Sequence, residues 1–159
     1  IYMQEVSNSL KEANKLLRTA DHLVYVTYPL IKDNKLIMTI TENLAEGMKK
    51  AMDALLYYVK YYKRISILPH DFQSKLNIFK ESCTRYNINL NYLNLLRDLN
   101  ELQNAHKRST MEFVRNDKYV ITEQNFNIKT LTYQKAKEYV NSSKPFFAKI
   151  NFLLQNVKN

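Results

Sequence analysis

The sequence predicts a mainly all-α chain, an antiparallel bundle of about five helices with a short β-hairpin inserted before the last one. Three observations carry this. Apolar residues recur at three- and four-residue steps through most of the 159 residues. One Gly and three Pro leave few positions that break a helix. The period shortens to two at a single place, near residues 111–121. Short connections between the helical stretches make sequence neighbours antiparallel. The length suits one domain over 1–159 with a sizeable core.

The first helix is predicted from Met3 to Val26. Val6, Leu10, Ala13, Leu17, Ala20 and Val24 form its apolar stripe. Pro29 ends it, because the residue before a proline avoids the helical region. Asp33 reads as the cap of a second helix, Lys35 to Arg64, whose stripe runs from Leu36 and Ile37 to Val59 and Tyr62. Gly47 lies inside it, where Gly costs about 1 kcal/mol against Ala, and is expected to admit a close helix neighbour. Pro69 breaks the run and Asp71 caps a third helix carrying Phe72, Leu76, Phe79 and Cys83. Cys83 sits on that stripe as a small hydrophobe.

Asn89 or Asn91 caps a fourth helix with Leu93, Leu96, Leu99, Leu102 and Ala105. Met111–Arg115 and Lys118–Ile121 then read as a hairpin about 111–122, turning at Asn116-Asp117, two residues that tolerate positive φ. Residues 123–131 are predicted as a polar connector. Thr132 caps a last helix through Val140, Phe146, Ile150 and Val157, and Pro145 should kink it.

Composition excludes several functions. A single Gly rules out phosphate cradles built on glycine runs. One Cys and three scattered His leave no zinc-type cluster, so neither metal nor cofactor is predicted. No apolar stretch is long enough to cross a membrane, and no apolar run follows a basic start. With a lone Cys, this points to a reducing, cytoplasmic setting. A start at Ile1 leaves room for a preceding segment.

The net charge of +9 invites a nucleic-acid reading. Lys outnumbers Arg 18 to 6, and Asn, Ile and Tyr are abundant, the bias an AT-rich genome imposes without selecting a ligand. The charge is also even, with twelve bases and eight acids in residues 1–80 and twelve and seven in 81–159. Geometry rather than total charge therefore decides. Two clusters are candidates. Tyr57-Tyr58-Val59-Lys60-Tyr61-Tyr62-Lys63-Arg64 mixes rings that stack bases with cations that hold phosphates. Its tyrosines also form two i,i+4 pairs, Tyr57/Tyr61 and Tyr58/Tyr62, and one pair is expected on the core. The second cluster is His106-Lys107-Arg108 with Arg115 and Lys118. Cations at the end of a helix also complement its dipole. The candidate nucleic-acid residues are Tyr58, Lys60, Tyr61, Lys63, Arg64, His106, Lys107, Arg108, Arg115 and Lys118. The leading expectation is a non-catalytic interaction module for a protein partner or, through a basic face, nucleic acid. A homodimer is compatible with it.

The segment His106-Lys-Arg-Ser-Thr-Met-Glu-Phe-Val-Arg115-Asn-Asp-Lys-Tyr-Val-Ile121 resembles one in a family of small uncharacterised archaeal proteins. The likeness extends to Ala20-Asp21-His22 and on through Tyr28-Pro29-Leu30. A helical bundle of this size is also remotely similar to the HEPN superfamily, whose ribonucleases carry an Arg and, a few residues on, a His. Arg64-Ile-Ser-Ile-Leu-Pro-His70 has that spacing. The resemblance implies a metal-independent ribonuclease with Arg64 and His70 catalytic and a site shared across a dimer.

Overall fold

The computed structural model describes residues 2–62 and 65–156. Lys63, Arg64 and Val157 lie outside the described residues. Within them are five long helices and a small three-stranded antiparallel sheet that precedes the last helix. The helices are α1 Tyr2–His22, α3 Leu36–Tyr61, α4 Phe72–Tyr86, α5 Asn91–Arg108 and α6 Tyr133–Leu154, with a short α2, Tyr28–Ile31. The strands are β1 Ser109–Arg115, β2 Lys118–Glu123 and β3 Ile128–Thr132, in the order β1-β2-β3. No helix of the described residues is long and apolar enough to cross a membrane.

The heart of the molecule is α3, which buries residues along its whole length, from Ile37 to Val59. Helix α1 packs along it most extensively. Gly47 makes that contact close. A Cβ there would lie 3.2 Å from Leu16 Cβ, 3.3 Å from Phe147 Cζ and 3.4 Å from the Ala13 carbonyl oxygen. So α1 and α6 both converge on the one position without a side chain. Helix α5 reaches α3 through Gln103 and Ala105, and α6 reaches α1 through Asn14–Asn151 and Asp21–Lys144. One large core joins all five long helices and Leu131 of β3, and a smaller one joins Met38, Ala105 and Ile121.

Pro29 does not end the first helix. A π-helical turn, Leu23–Thr27, follows α1 and leads straight into α2, with Pro29 in its first turn. Proline has no N–H and its ring clashes with the carbonyl four residues back. Widening the helix to i→i+5 bonding, as in Tyr28 N–H to the Leu23 carbonyl, relieves the clash. The register leaves the Val24 carbonyl without a backbone donor. The Tyr133 hydroxyl donates to it at 2.6 Å, and the Tyr133 ring stacks on Tyr28 at 3.9 Å. The chain turns instead at Lys32, in the left-handed region with φ 54°.

Other predicted boundaries shift for local reasons. Helix α3 takes Lys35 as its cap, while the Asp33 carboxylate, three residues ahead of the helix, accepts from the Lys35 N–H. It ends at Tyr61, short of Arg64. Asp71 caps α4 by accepting from Ser74 N–H, and Thr132 caps α6 by accepting from Lys135 N–H. Asn89 accepts from Asn91 N–H ahead of α5, whose cap is Leu90. Helix α6 runs through Pro145 unbroken.

The hairpin turns at Asn116-Asp117 as predicted, with Arg115 opposite Lys118, and only Asn116 takes positive φ. The polar connector is a correction. Residues 124–127 are a turn closed by Glu123 N–H to the Asn127 carbonyl, and 128–132 are a third strand. Ile128, Thr130 and Thr132 alternate with Lys129 and Leu131, and Leu131 is buried in the main core. A lone hairpin is marginal in water, and β3 supplies the missing partner and buried side chain.

Candidate functional site

Register assigns each strand residue to a face. Glu112, Ile121 and Lys129 share a row with one side, as do Val114, Tyr119 and Leu131. Ile121 and Leu131 are fully covered, so this side faces the helices. The other side carries the rows Met111–Thr122–Ile128, Phe113–Val120–Thr130 and Arg115–Lys118–Thr132. Its flanking apolar residues are open, with Met111 at 62%, Ile128 at 64% and Phe113 at 39% exposure. Val120 is covered at the centre but belongs to neither core. This outer face thus has an apolar middle and two cations at the hairpin end, and no carboxylate in its three rows. Strand β1 is also an edge. Beyond Ser109, whose N–H donates to the His106 carbonyl, its backbone makes no hydrogen bond other than those to β2 among the described residues.

Behind the sheet, Glu112 is the hub of a polar cluster. Its carboxylate accepts from the Ser109 and Tyr119 hydroxyls and lies 2.8 Å from His106 Nδ1. Burial works to raise the Glu112 pKa, but the bonds from Ser109, Tyr119 and His106 outweigh it and hold the group below its ordinary value. Burial and the neighbouring carboxylate push the Tyr119 hydroxyl well up. The cluster ties β1 and β2 to the end of α5, so it fixes how the outer face is presented.

The predicted nucleic-acid residues fall in two groups. Asn34, ahead of α3, donates to the Asn116 carbonyl at the hairpin tip, which sets Arg115 and Lys118 at the N-terminal end of α3. Lys60 and Tyr61 lie at its other end, and 26 helical residues rise roughly 39 Å. Of the tyrosines, Tyr57 and Tyr58 pack against the core while Tyr61 and Tyr62 are exposed, so the split follows the helix axis rather than an i,i+4 face. Tyr58 meets Tyr62 and Tyr86 edge-on. Arg108 pairs with Glu123 at 3.2 Å. Lys107 borders a cleft with Glu46, Lys49, Asp53, His70 and Lys75.

Lys49 and Lys75 of that cleft already have partners. Lys75 pairs with Asp53 at 3.0 Å. Lys49 donates to Gln103 Oε1 at 2.5 Å, and the buried Gln103 amide donates to Glu46 and Glu42. Burial lowers the Lys49 pKa, Glu46 opposes this, and Lys107 adds to it. Asp21 pairs with Lys144 at 2.7 Å, while His22 Nδ1 lies 3.3 Å from the Thr27 hydroxyl. Cys83 is buried, and burial raises its thiol to about 12.

Sequence reasoning missed a second basic surface. Lys11, Lys15, Arg18 and His22 share the outer face of α1, and Tyr25 lies beside Lys137 and Lys144 of α6. The α1 spacing was legible as steps of four, three and four. The approach of α6 was not. No family model, no curated protein and no solved structure matches the chain.

Proposed function

We propose that this chain is a non-catalytic interaction module, an antiparallel helical bundle that presents its small sheet to an extended, acidic segment of a partner protein. The observation that carries the reading is the outer face of the sheet. Met111, Phe113 and Ile128 are exposed together around Val120, and Arg115 and Lys118 close one end. Open β1 backbone can add a strand, and alternate side chains of that strand would meet the apolar rows. Two cations against the single carboxylate of Asp117 in the turn favour acidic residues in the partner. A chain of net charge +9 discourages a second copy, so a homodimer is the lesser occupant. The module would work in the reducing cytoplasm with no cofactor.

The test is a synthetic peptide alternating valine and glutamate, titrated by fluorescence anisotropy. It should bind, and Phe113→Asp with Ile128→Asp should abolish binding while circular dichroism is unchanged. A lysine-for-glutamate peptide binding equally well, or a double variant that still binds, would overturn the reading.

The ribonuclease reading keeps one supporting observation. His70 is exposed beside the cleft that holds Lys49, Lys75 and Lys107, where a phosphodiester could lie near an imidazole. Its partner Arg64 lies outside the described residues. Cleavage of mixed RNA that is lost in both Arg64→Ala and His70→Ala would establish it over the non-catalytic one.

A further inference from the structure

Helix α1 turns one face to the core through Val6, Ala13 and Ala20 and the opposite face to solvent. On that outer face Lys11, Lys15, Arg18 and His22 follow one another at successive turns, spanning roughly 16 Å at 1.5 Å per residue. All four are exposed, and none makes an ion pair among the described residues. Lys15, Arg18, Thr19, His22 and Leu23 line a shallow depression. The nearby carboxylates are occupied, Glu12 by Lys50 at 3.7 Å and Asp21 by Lys144 at 2.7 Å.

The stripe does not end at His22. The π turn carries Tyr25 out beside α6, where it is 43% exposed. Its hydroxyl donates to Asn141 Oδ1 at 2.8 Å. Lys144 and Lys137 place their ammonium groups 4.9 and 5.3 Å from the ring centroid. An aromatic ring held by its hydroxyl, with two ammonium groups over it, that of Lys144 also paired with Asp21, and a row of unpaired cations on the adjoining helix has the two parts of a single-strand binding track. Rings stack unpaired bases and cations follow the phosphates. Tyr25 lies three residues beyond His22, within the π turn that turns it toward α6.

We infer that the α1–α6 face binds single-stranded nucleic acid, with Lys11, Lys15 and Arg18 on successive phosphates and a base stacking on the exposed Tyr25 ring in place of an α6 ammonium group. The face uses none of the sheet residues above, so it stands or falls separately from the partner-protein reading. A duplex offers no unpaired base to Tyr25 and gains only the charge contacts. An anionic membrane would also meet the cations, but it would give Tyr25 no base to stack.

The experiment titrates the protein against fluorescent single-stranded RNA of mixed sequence over a salt series. Wild type should bind, and affinity should fall with salt. Lys15→Gln with Arg18→Gln should flatten the slope of log K against log salt by about 1.4, at about 0.7 per lost phosphate contact on a single strand. Tyr25→Leu should weaken binding roughly 5- to 150-fold with the slope unchanged, as loss of one stacked base does. Lys107→Gln, in the separate cleft, should change neither. Circular dichroism of each variant checks the fold. Absence of binding at low salt would overturn the inference. So would an unchanged slope in the double variant, a duplex bound as tightly as the single strand, or retention on phosphatidylserine vesicles without RNA binding.

Discussion

At the scale of the residue, Glu112 has the most consequential surroundings. Ser109, Tyr119 and His106 all converge on one half-buried carboxylate. Its folded pKa lies below the ordinary value of 4.5, so the ionised form is the one the fold favours. The stabilisation is therefore fully present above about pH 4.5 and fades as acid protonates the group in the native state. Glu112→Gln should cost about 1–3 kcal/mol at neutral pH, the range for a buried polar group that loses its matched partners. The gap in melting temperature between variant and wild type should narrow steadily below pH 4.5. A gap constant down to pH 3 would show that ionised Glu112 contributes nothing. His106, one of the basic residues in the last turn of α5, is bound to this carboxylate in the fold.

Among the elements, the π turn depends on a side chain from the far end of the chain. Pro29 has no N–H to give, and the Tyr133 hydroxyl satisfies the Val24 carbonyl instead. Tyr133→Phe should destabilise by about 1–3 kcal/mol by leaving that carbonyl unpaired. In a Pro29→Ala background an N–H is restored to the turn, so the same substitution should cost measurably less. Thermal or urea denaturation of the four proteins gives the coupling. Equal costs in both backgrounds would remove the hydroxyl from the account of the turn. The same turn sets Tyr25 among the α6 lysines, so Pro29 shapes the proposed track as well as the helix.

For the whole molecule, Cys83 is a built-in reporter of opening. It lies fully covered within the main core, and burial holds its thiol near 12. A disulfide reagent at neutral pH should leave the native protein unmodified over minutes and react at once in denaturant. In dilute denaturant the rate should track global stability, because exposing this position requires separating α4 from the core. Fast modification of the native state would mean that α4 opens on its own.

The helices were legible because burial imposes a period on the chain. Val6, Ala13 and Ala20, or Leu93, Leu96 and Leu99, need no partner to be read. Asp71 and Thr132 were legible as caps because a cap bonds within three residues. Gly47 could be marked as a close approach, though not which helices would come. What the sequence could not supply was every contact between residues distant along the chain. Pro29 read as a stop because its rescuer, Tyr133, is more than a hundred residues away. Residues 123–131 read as a connector because β3 is too short and polar to declare itself until it pairs with β2. The two surfaces that carry the proposals share this cause. Strand register assembled the apolar face, and the approach of α6 to α1 assembled the track. Local periodicity follows from backbone geometry, but surfaces follow from which elements meet, and only the tertiary structure decides that.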